Sequence, residues 1–181
     1  PLDRLGLDWR TTLKTMTLPG LQAVHDSSTP AGGQYHLRGH YLAELSDSTL
    51  ELLLDHCARI AAPLTKVFIE HLGGAMARLP AEATAFQRRD AAYSLLAVAG
   101  WTDARDAHRH IGWVRDFGAA MQTVAMDGAY VNYLDDDEDH RIPSAYGAGY
   151  KRLVALKREL DPDNVFRANR NISLTEMAHG A

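Results

Sequence analysis

Tyr130 and Asn132 stand two residues apart in the run Tyr130-Val131-Asn132-Tyr133. In a β-strand such positions share a face, so a phenol and a carboxamide would project together while Val131 and Tyr133 point the other way. A phenol with a depressed pKa can take a proton from an alcohol as a general base. A carboxamide beside it carries both donors and an acceptor, enough to orient a substrate or to hold the edge of a planar heterocycle. The same four residues also suit a strand whose aromatics simply pack on a sheet. A second pair, Asn169 and Asn171, lies in Phe166-Arg167-Ala168-Asn169-Arg170-Asn171-Ile172. In extended chain these two amides share a face and could bracket a heterocycle; in a plain tail, Phe166 and Ile172 would be apolar pegs.

Other residue types point to less. Of the histidines, His71, at a strand end before Gly73-Gly74, is the one placed near a pocket, and Tyr35, Tyr41, Phe68 and Tyr93 are candidates to line it. No HExxH, cysteine pair or carboxylate triad is present, so no metal site is expected. The acidic run Asp135 to Asp139 lacks the alternation and glycine of a calcium loop and reads as solvated. Gly73-Gly74 is no phosphate cradle, and Ser46 and Ser94 have no nucleophile-elbow context. A net charge of -4 across 181 residues gives no nucleic-acid footprint. No run approaches the ~20 apolar residues of a membrane span, and Pro1-Leu-Asp-Arg is not a secretory leader. A cytoplasmic protein is the default expectation, with the lone Cys57 as a buried structural thiol.

The elements that must position these residues are read from periodicity. Residues 1–33 form an irregular lead-in, with one short helix over Leu18 to His25. Gln34 to Tyr41 alternates as a strand. Ser46-Asp47 caps a helix running to Ile60, with Leu50, Leu53, Leu54, Cys57 and Ile60 on its apolar face. Thr65 to Leu72 reads as a strand, Gly73-Gly74 as its break, and Ala75 to Leu79 as the returning strand of a hairpin. Ala92 to Ala99 is β-like, although its leucine and alanine content also suits a buried helix. Thr102-Asp103 caps a helix to about Thr123, with Ile111, Val114, Phe117 and Met121 inward. Ala129 to Leu134 is expected as a strand, 145–160 as a helix, and the chain after Asp161-Pro162 as extended. This order predicts an α+β fold: an antiparallel sheet with helices packed on one face.

The ordered string Tyr-x-Asn-Tyr, acidic loop, Tyr-Gly-x-x-Tyr at 146–150, Leu-x-x-Leu-Lys within the last helix, Asp-Pro-x-Asn-x-Phe at 161–166 and Asn-x-Asn-Ile at 169–172 resembles the C-terminal segment of the berberine-bridge-enzyme-like FAD-linked oxidases. Upstream, Gln34 to Tyr41 with Leu45-Ser46-Asp47, Gly73 to Arg78, Ala83 to Phe86 with Arg88-Arg89, and Trp101 before a helix carrying Trp113 are similar to the same family. The resemblance covers nearly everything beyond about residue 15.

It implies a two-part flavoprotein of the vanillyl-alcohol-oxidase type. One region holds FAD; an antiparallel substrate domain covers the isoalloxazine, and the C-terminal segment returns to the FAD region. On this likeness residues 1–134 match the substrate-binding domain and 135–181 the returning segment. Tyr130 falls on the catalytic-base position, Asn132 on the flavin-side amide, and Asn169 and Asn171 on the tail positions near the cofactor. Arg170 replaces the glutamine found there in many members and is expected to point outward. His71 and Tyr35 are the substrate-binding candidates. The residues that would attach FAD are not in this chain, so the implied partner is an FAD-binding domain of the same protein or of a companion chain. The implied activity is oxidation of an alcohol, sugar or secondary metabolite by hydride transfer to flavin. The alternative is a truncated, non-catalytic relative used for binding or dimerisation.

Overall fold

The structure is a computed structural model that describes residues 14–168 and 170–174. The chain divides into two units, Pro1–Gly32 and Gly33–Ala181. In the first, helix α1 (Leu18–Gln22) starts at Thr17, whose Oγ1 accepts the Gly20 N–H at 3.3 Å, with Pro19 in its first turn. A 3₁₀ stretch, Ala23–Ser28, follows where the expected single helix would have continued.

The second unit is built on three strands: β1 (Gln34–Leu42), β2 (Lys66–His71) and β3 (Tyr93–Trp101). β3 lies in the centre and pairs antiparallel with both neighbours, in the order β1-β3-β2. Two longer helices cover one face: α2 (Asp47–Cys57), capped by Ser46 Oγ, and α3 (Ala107–Met121). The core lies between them, with Leu42, Leu95, Ala97, Ala99 and Trp101 against Leu53 of α2 and Val114, Phe117 and Met121 of α3. The i, i+3, i+7 stripe of α3 is the one its periodicity predicts. The α2 stripe is rotated from expectation. Thr49, Leu53 and His56 are buried, whereas Leu50 and Leu54 face out and Cys57 is half-buried. Side-chain contacts fix this rotation: Trp113 Nε1 donates to the His56 carbonyl at 3.1 Å, and the His56 ring meets Phe117 edge-on at 5.6 Å. The α+β architecture is the one predicted.

Three further expectations are corrected. Residues 75–79 are not a returning strand: Met76–Arg78 is a 3₁₀ turn, and β2 finds its partner in β3, leaving no ladder for a hairpin. Residues 145–160 are not one helix. They divide into the end of α4 (Ile142–Tyr146), a 3₁₀ turn over Gly147–Gly149 and α5 (Tyr150–Leu160), broken where Gly147 takes φ +48°. Ala129 to Leu134 is not a strand. Its place beside β1 is explained by what occupies that edge. Met126 N–H donates to the Tyr41 carbonyl at 2.8 Å, the Asp135 carboxylate accepts the Leu37 N–H at 2.6 Å, and the Arg141 guanidinium donates to the Gly39 carbonyl at 3.1 Å. Two side chains and one backbone N–H thus meet hydrogen-bonding needs that a fourth strand would otherwise fill. A second apolar cluster of Ala129, Leu134, Ile142 and Ala145 seats this segment on α4, with Tyr146, Tyr150 and Ile172 against it.

The acidic run is solvated only in part: Asp136 and Asp139 are exposed, but the others are tied down. Asp137 binds Arg38 at 2.6 Å and Arg115 at 2.8 Å, His36 Nδ1 stands 3.0 Å from Asp135, and Glu138 is buried against Arg141. Burial raises the Asp137 pKa, but its hydrogen bonds to both arginines outweigh that and hold it at about 2. Arg170 turns inward to the Leu134 carbonyl and to Asp136 and Asp139, correcting the outward orientation expected for it.

His40 of β1 is 3% exposed, and neither ring nitrogen has a hydrogen-bond partner. Burial, then the nearby Arg141 and Arg38 charges, lower its pKa from 6.5 to about 3. The unfolded chain therefore binds a proton that the fold refuses between those values. The stability this neutral ring contributes is complete above pH 6.5 and falls as pH drops toward 3. We expect urea midpoints to record a loss of about 2 kcal/mol between pH 7 and pH 5 from this residue alone. His40→Leu should flatten that slope; an unchanged slope would show that another group titrates. No helix among the described residues is long and apolar enough to cross a membrane.

Candidate functional site

Strand alternation sorts the sheet into two faces. The odd residues of β3 face the helices, and with them the register places Val67, Ile69 and His71 of β2. The opposite face carries Leu37, Gly39 and Tyr41 of β1, Ser94, Leu96 and Val98 of β3, and Phe68 and Glu70 of β2. One rung runs straight across it as Tyr41–Ser94–Glu70.

Tyr130 to Tyr133 stands on this second face. Tyr130 is extended, and Val131–Tyr133 closes a 3₁₀ turn in which Tyr133 N–H donates to the Tyr130 carbonyl at 2.8 Å. In such a turn residues i and i+3 eclipse, so Tyr130 and Tyr133 come together instead of diverging as they would on a strand. Their rings meet edge-to-face at 5.0 Å. Tyr133 lies directly on the sheet: a Cβ built on Gly39 would come within 2.6 Å of its Cβ, so only glycine fits beneath it. Phe86, 6.0 Å from Tyr130 and 6.4 Å from Tyr41, extends the aromatic wall, and the Arg89 guanidinium covers its ring at 5.4 Å. Arg89 is held there by the Met76 carbonyl and the Thr84 hydroxyl.

The three phenols of this wall are not equivalent. Burial raises Tyr41 well above the ordinary phenol range, and the neighbouring Tyr130 adds to the effect. Burial likewise raises Tyr133, reinforced by its donation to Glu70 at 3.1 and 3.0 Å. Both stay protonated. Tyr130 is the phenol whose oxygen receives a donor, the Asn132 Nδ2 amide at 2.8 Å. Such a bond strengthens as the oxygen gains negative charge.

The other sequence-derived candidates are placed as follows. Asn169 lies outside the described residues. Asn171 is half-buried beside Tyr150, Pro143 and His140, and its Oδ1 is buried without a hydrogen-bond partner. Among the described residues no hydrogen bond joins it to Tyr130 or Asn132, although its neighbour Ile172 packs on the cluster that includes Val131. His71 is exposed at the end of β2, edge-on to Tyr93 at 5.4 Å on the helix side. Tyr35 is half-buried at the far end of the open face, opposite Gly100 and folded over Gly33. Tyr133 and Glu70 were not singled out from sequence. The signal for Tyr133, its i+3 spacing from Tyr130, becomes visible only once the segment is known to be a turn.

Residues 129–173, which hold this turn, α4, α5 and most of the described tail, match the family described as "Berberine and berberine like". Over this segment the chain is similar to the berberine-bridge-enzyme-like proteins. It is 29% identical over 179 residues to the uncharacterized FAD-linked oxidoreductase YgaK of Bacillus subtilis, covering 95% of this chain and 38% of that protein. It is 30% identical over 166 residues to the monolignol oxidoreductase AtBBE-like 13 of Arabidopsis thaliana, covering 83% of this chain and 31% of that one. The BBE-like 1 protein of Physcomitrella patens superposes with a TM-score of 0.72 at 25% identity, covering 79% of this chain and 31% of that structure. The chain thus spans about a third of the length of these relatives.

Proposed function

We propose that this chain is the substrate-binding and C-terminal portion of an FAD-dependent oxidoreductase that oxidises an alcohol, sugar or secondary metabolite, with Tyr130 as the base. Residues 1–134 serve the substrate and 135–181 form the segment that returns to the cofactor region. The observation that carries the reading is the Asn132–Tyr130 bond on the sheet face turned away from the helices. There the two neighbouring phenols are held protonated and only Tyr130 is offered a donor.

The residues present fit an isoalloxazine. Asn171 has a buried carboxamide oxygen without a partner, the acceptor a ring N–H requires. Asn132 has amide capacity beyond its bond to Tyr130, and Asn169 is assigned to the same role. FAD supplies a two-electron acceptor for a hydride leaving the substrate carbon. Tyr130 Oη takes the proton of the substrate hydroxyl as that carbon–hydrogen bond breaks, leaving a carbonyl product. Asn132 stabilises the oxygen that gains charge, and the aromatic wall of Phe86 and Tyr133 orients the substrate. Tyr35, on the same face, takes an outer part of the substrate, whereas His71 stands on the helix side of the sheet and outside this surface. The partner is an FAD-binding region of the same polypeptide. The exposed apolar row Leu156, Leu160, Val165 and Phe166 on α5 and the chain after it supports a large covering neighbour.

The experiment is purification of the complete gene product and anaerobic addition of a panel of primary alcohols, monolignols and hexoses. We expect the visible bands of oxidised flavin, and their bleaching by at least one member. A colourless protein would remove the reading in favour of a non-catalytic module.

A further inference from the structure

Glu70 sits at the end of the Tyr41–Ser94–Glu70 rung, on the face that carries Tyr130. It is the acidic side chain among the strand residues of that face. Its two oxygens share a single O–H, that of Tyr133, at 3.1 and 3.0 Å. A carboxylate offers about four acceptor positions, so most of its capacity is unspent. Glu70 is also exposed, so those positions open toward the space the aromatic wall borders. The tie works in both directions. Tyr133 is pinned over Gly39 with its proton committed, and the carboxylate is held next to the ring that contacts Tyr130. Of the guanidinium groups beside the wall, Arg89 is occupied by the Met76 carbonyl and Thr84 and covers Phe86, and Arg88 pairs with Asp90 at 3.2 Å.

We infer that Glu70 is a specificity-determining residue whose free acceptor positions receive a hydroxyl or protonated amine of a ring-bearing substrate lying along Phe86, Tyr130 and Tyr133. The inference rests on the reading that this face holds the substrate. It deepens that reading by naming the substrate class: a ring carrying a hydrogen-bond donor beyond the group oxidised. A ring bearing a carboxylate at that position meets like charge and is rejected.

The test uses the complete gene product and three probes of one shape, benzylamine, benzyl alcohol and benzoate, with binding measured by calorimetry. We expect benzylamine to bind at least about tenfold more tightly than benzoate, with benzyl alcohol between them. Glu70→Gln should collapse that spread to within about twofold, and Glu70→Lys should invert it. Glu51→Gln, which removes an exposed carboxylate of α2 on the helix side and leaves this face untouched, should preserve the spread. Equal binding of the three by the unaltered protein, no saturable binding by any, or a spread that survives Glu70→Gln each overturns the assignment. Calorimetry reads Glu70 independently of the visible bands. A colourless protein with the expected spread would sink the flavin reading alone, and a flavin-bearing protein without the spread would sink this inference alone.

Discussion

Tyr130→Phe in the complete, flavin-bearing gene product should slow flavin reduction by about 10²- to 10⁴-fold, the range set by loss of a positioned general base. The substitution removes one oxygen and leaves the ring, so the edge-on contacts with Tyr133 and Phe86 persist. Substrate affinity should therefore change little, and the loss should fall on the rate of bleaching measured by anaerobic stopped flow at saturating substrate. Asn132→Ala, which withdraws the 2.8 Å donor from the same oxygen, should give a smaller loss in the same step. A Tyr130→Phe protein that bleaches at the unaltered rate would remove the phenol from the chemistry.

Arg141→Ala should be the most damaging single change to the fold around the site, destabilising the protein by about 3–5 kcal/mol. Its guanidinium neutralises Glu138, whose side chain is 5% exposed, and also donates to the Gly39 and Gly128 carbonyls. Removing it leaves a buried carboxylate with Arg38 as its remaining cation at 3.6 Å, and two carbonyls unmet. Those carbonyls lie at β1 and at the start of the Tyr130 segment, so a partly unfolded variant should lose site geometry first. Glu138→Gln in the same protein should restore part of the loss, because the uncompensated charge is then gone. Chemical denaturation of the single and double variants measures both effects. A loss under 1 kcal/mol for Arg141→Ala would show the pair to be solvated.

The parts of this fold legible in the sequence are those in which one periodicity dominates. The stripe of α3 and the strands β1 and β2 follow from apolar spacing, whereas the continuous apolar run of β3 suits a strand or a buried helix until its two antiparallel neighbours are known. The α2 stripe is rotated from expectation, since Leu50, Leu53, Leu54, Cys57 and Ile60 satisfy a helical period on a face that tertiary contacts with Trp113 and Phe117 turn partly outward. Residues 129–134 alternate like a strand, yet the edge they lie along is already met by Asp135, Arg141 and Met126. Those are two side chains and one backbone N–H from three separate positions, invisible to any local pattern. The same blindness hides the ties of Asp135 and Asp137, whose partners Arg38, His36 and Arg115 lie 20 or more positions away in sequence, while Asp136 and Asp139 are exposed as the loop reading expects. The pairing of Tyr130 with Asn132 was anticipated on strand geometry and occurs through a turn. That turn also brings in Tyr133 and, through it, Glu70.

The most direct measurement is an experimental structure of the complete flavin-bearing gene product. We expect the isoalloxazine to lie over the sheet face of Tyr41, Ser94 and Glu70, with Asn171 at its edge and Tyr130 Oη within hydrogen-bonding reach of an alcohol bound between them. A flavin seated on the helix side of the sheet, or remote from Tyr130, would contradict the assignment of this surface as the oxidation site.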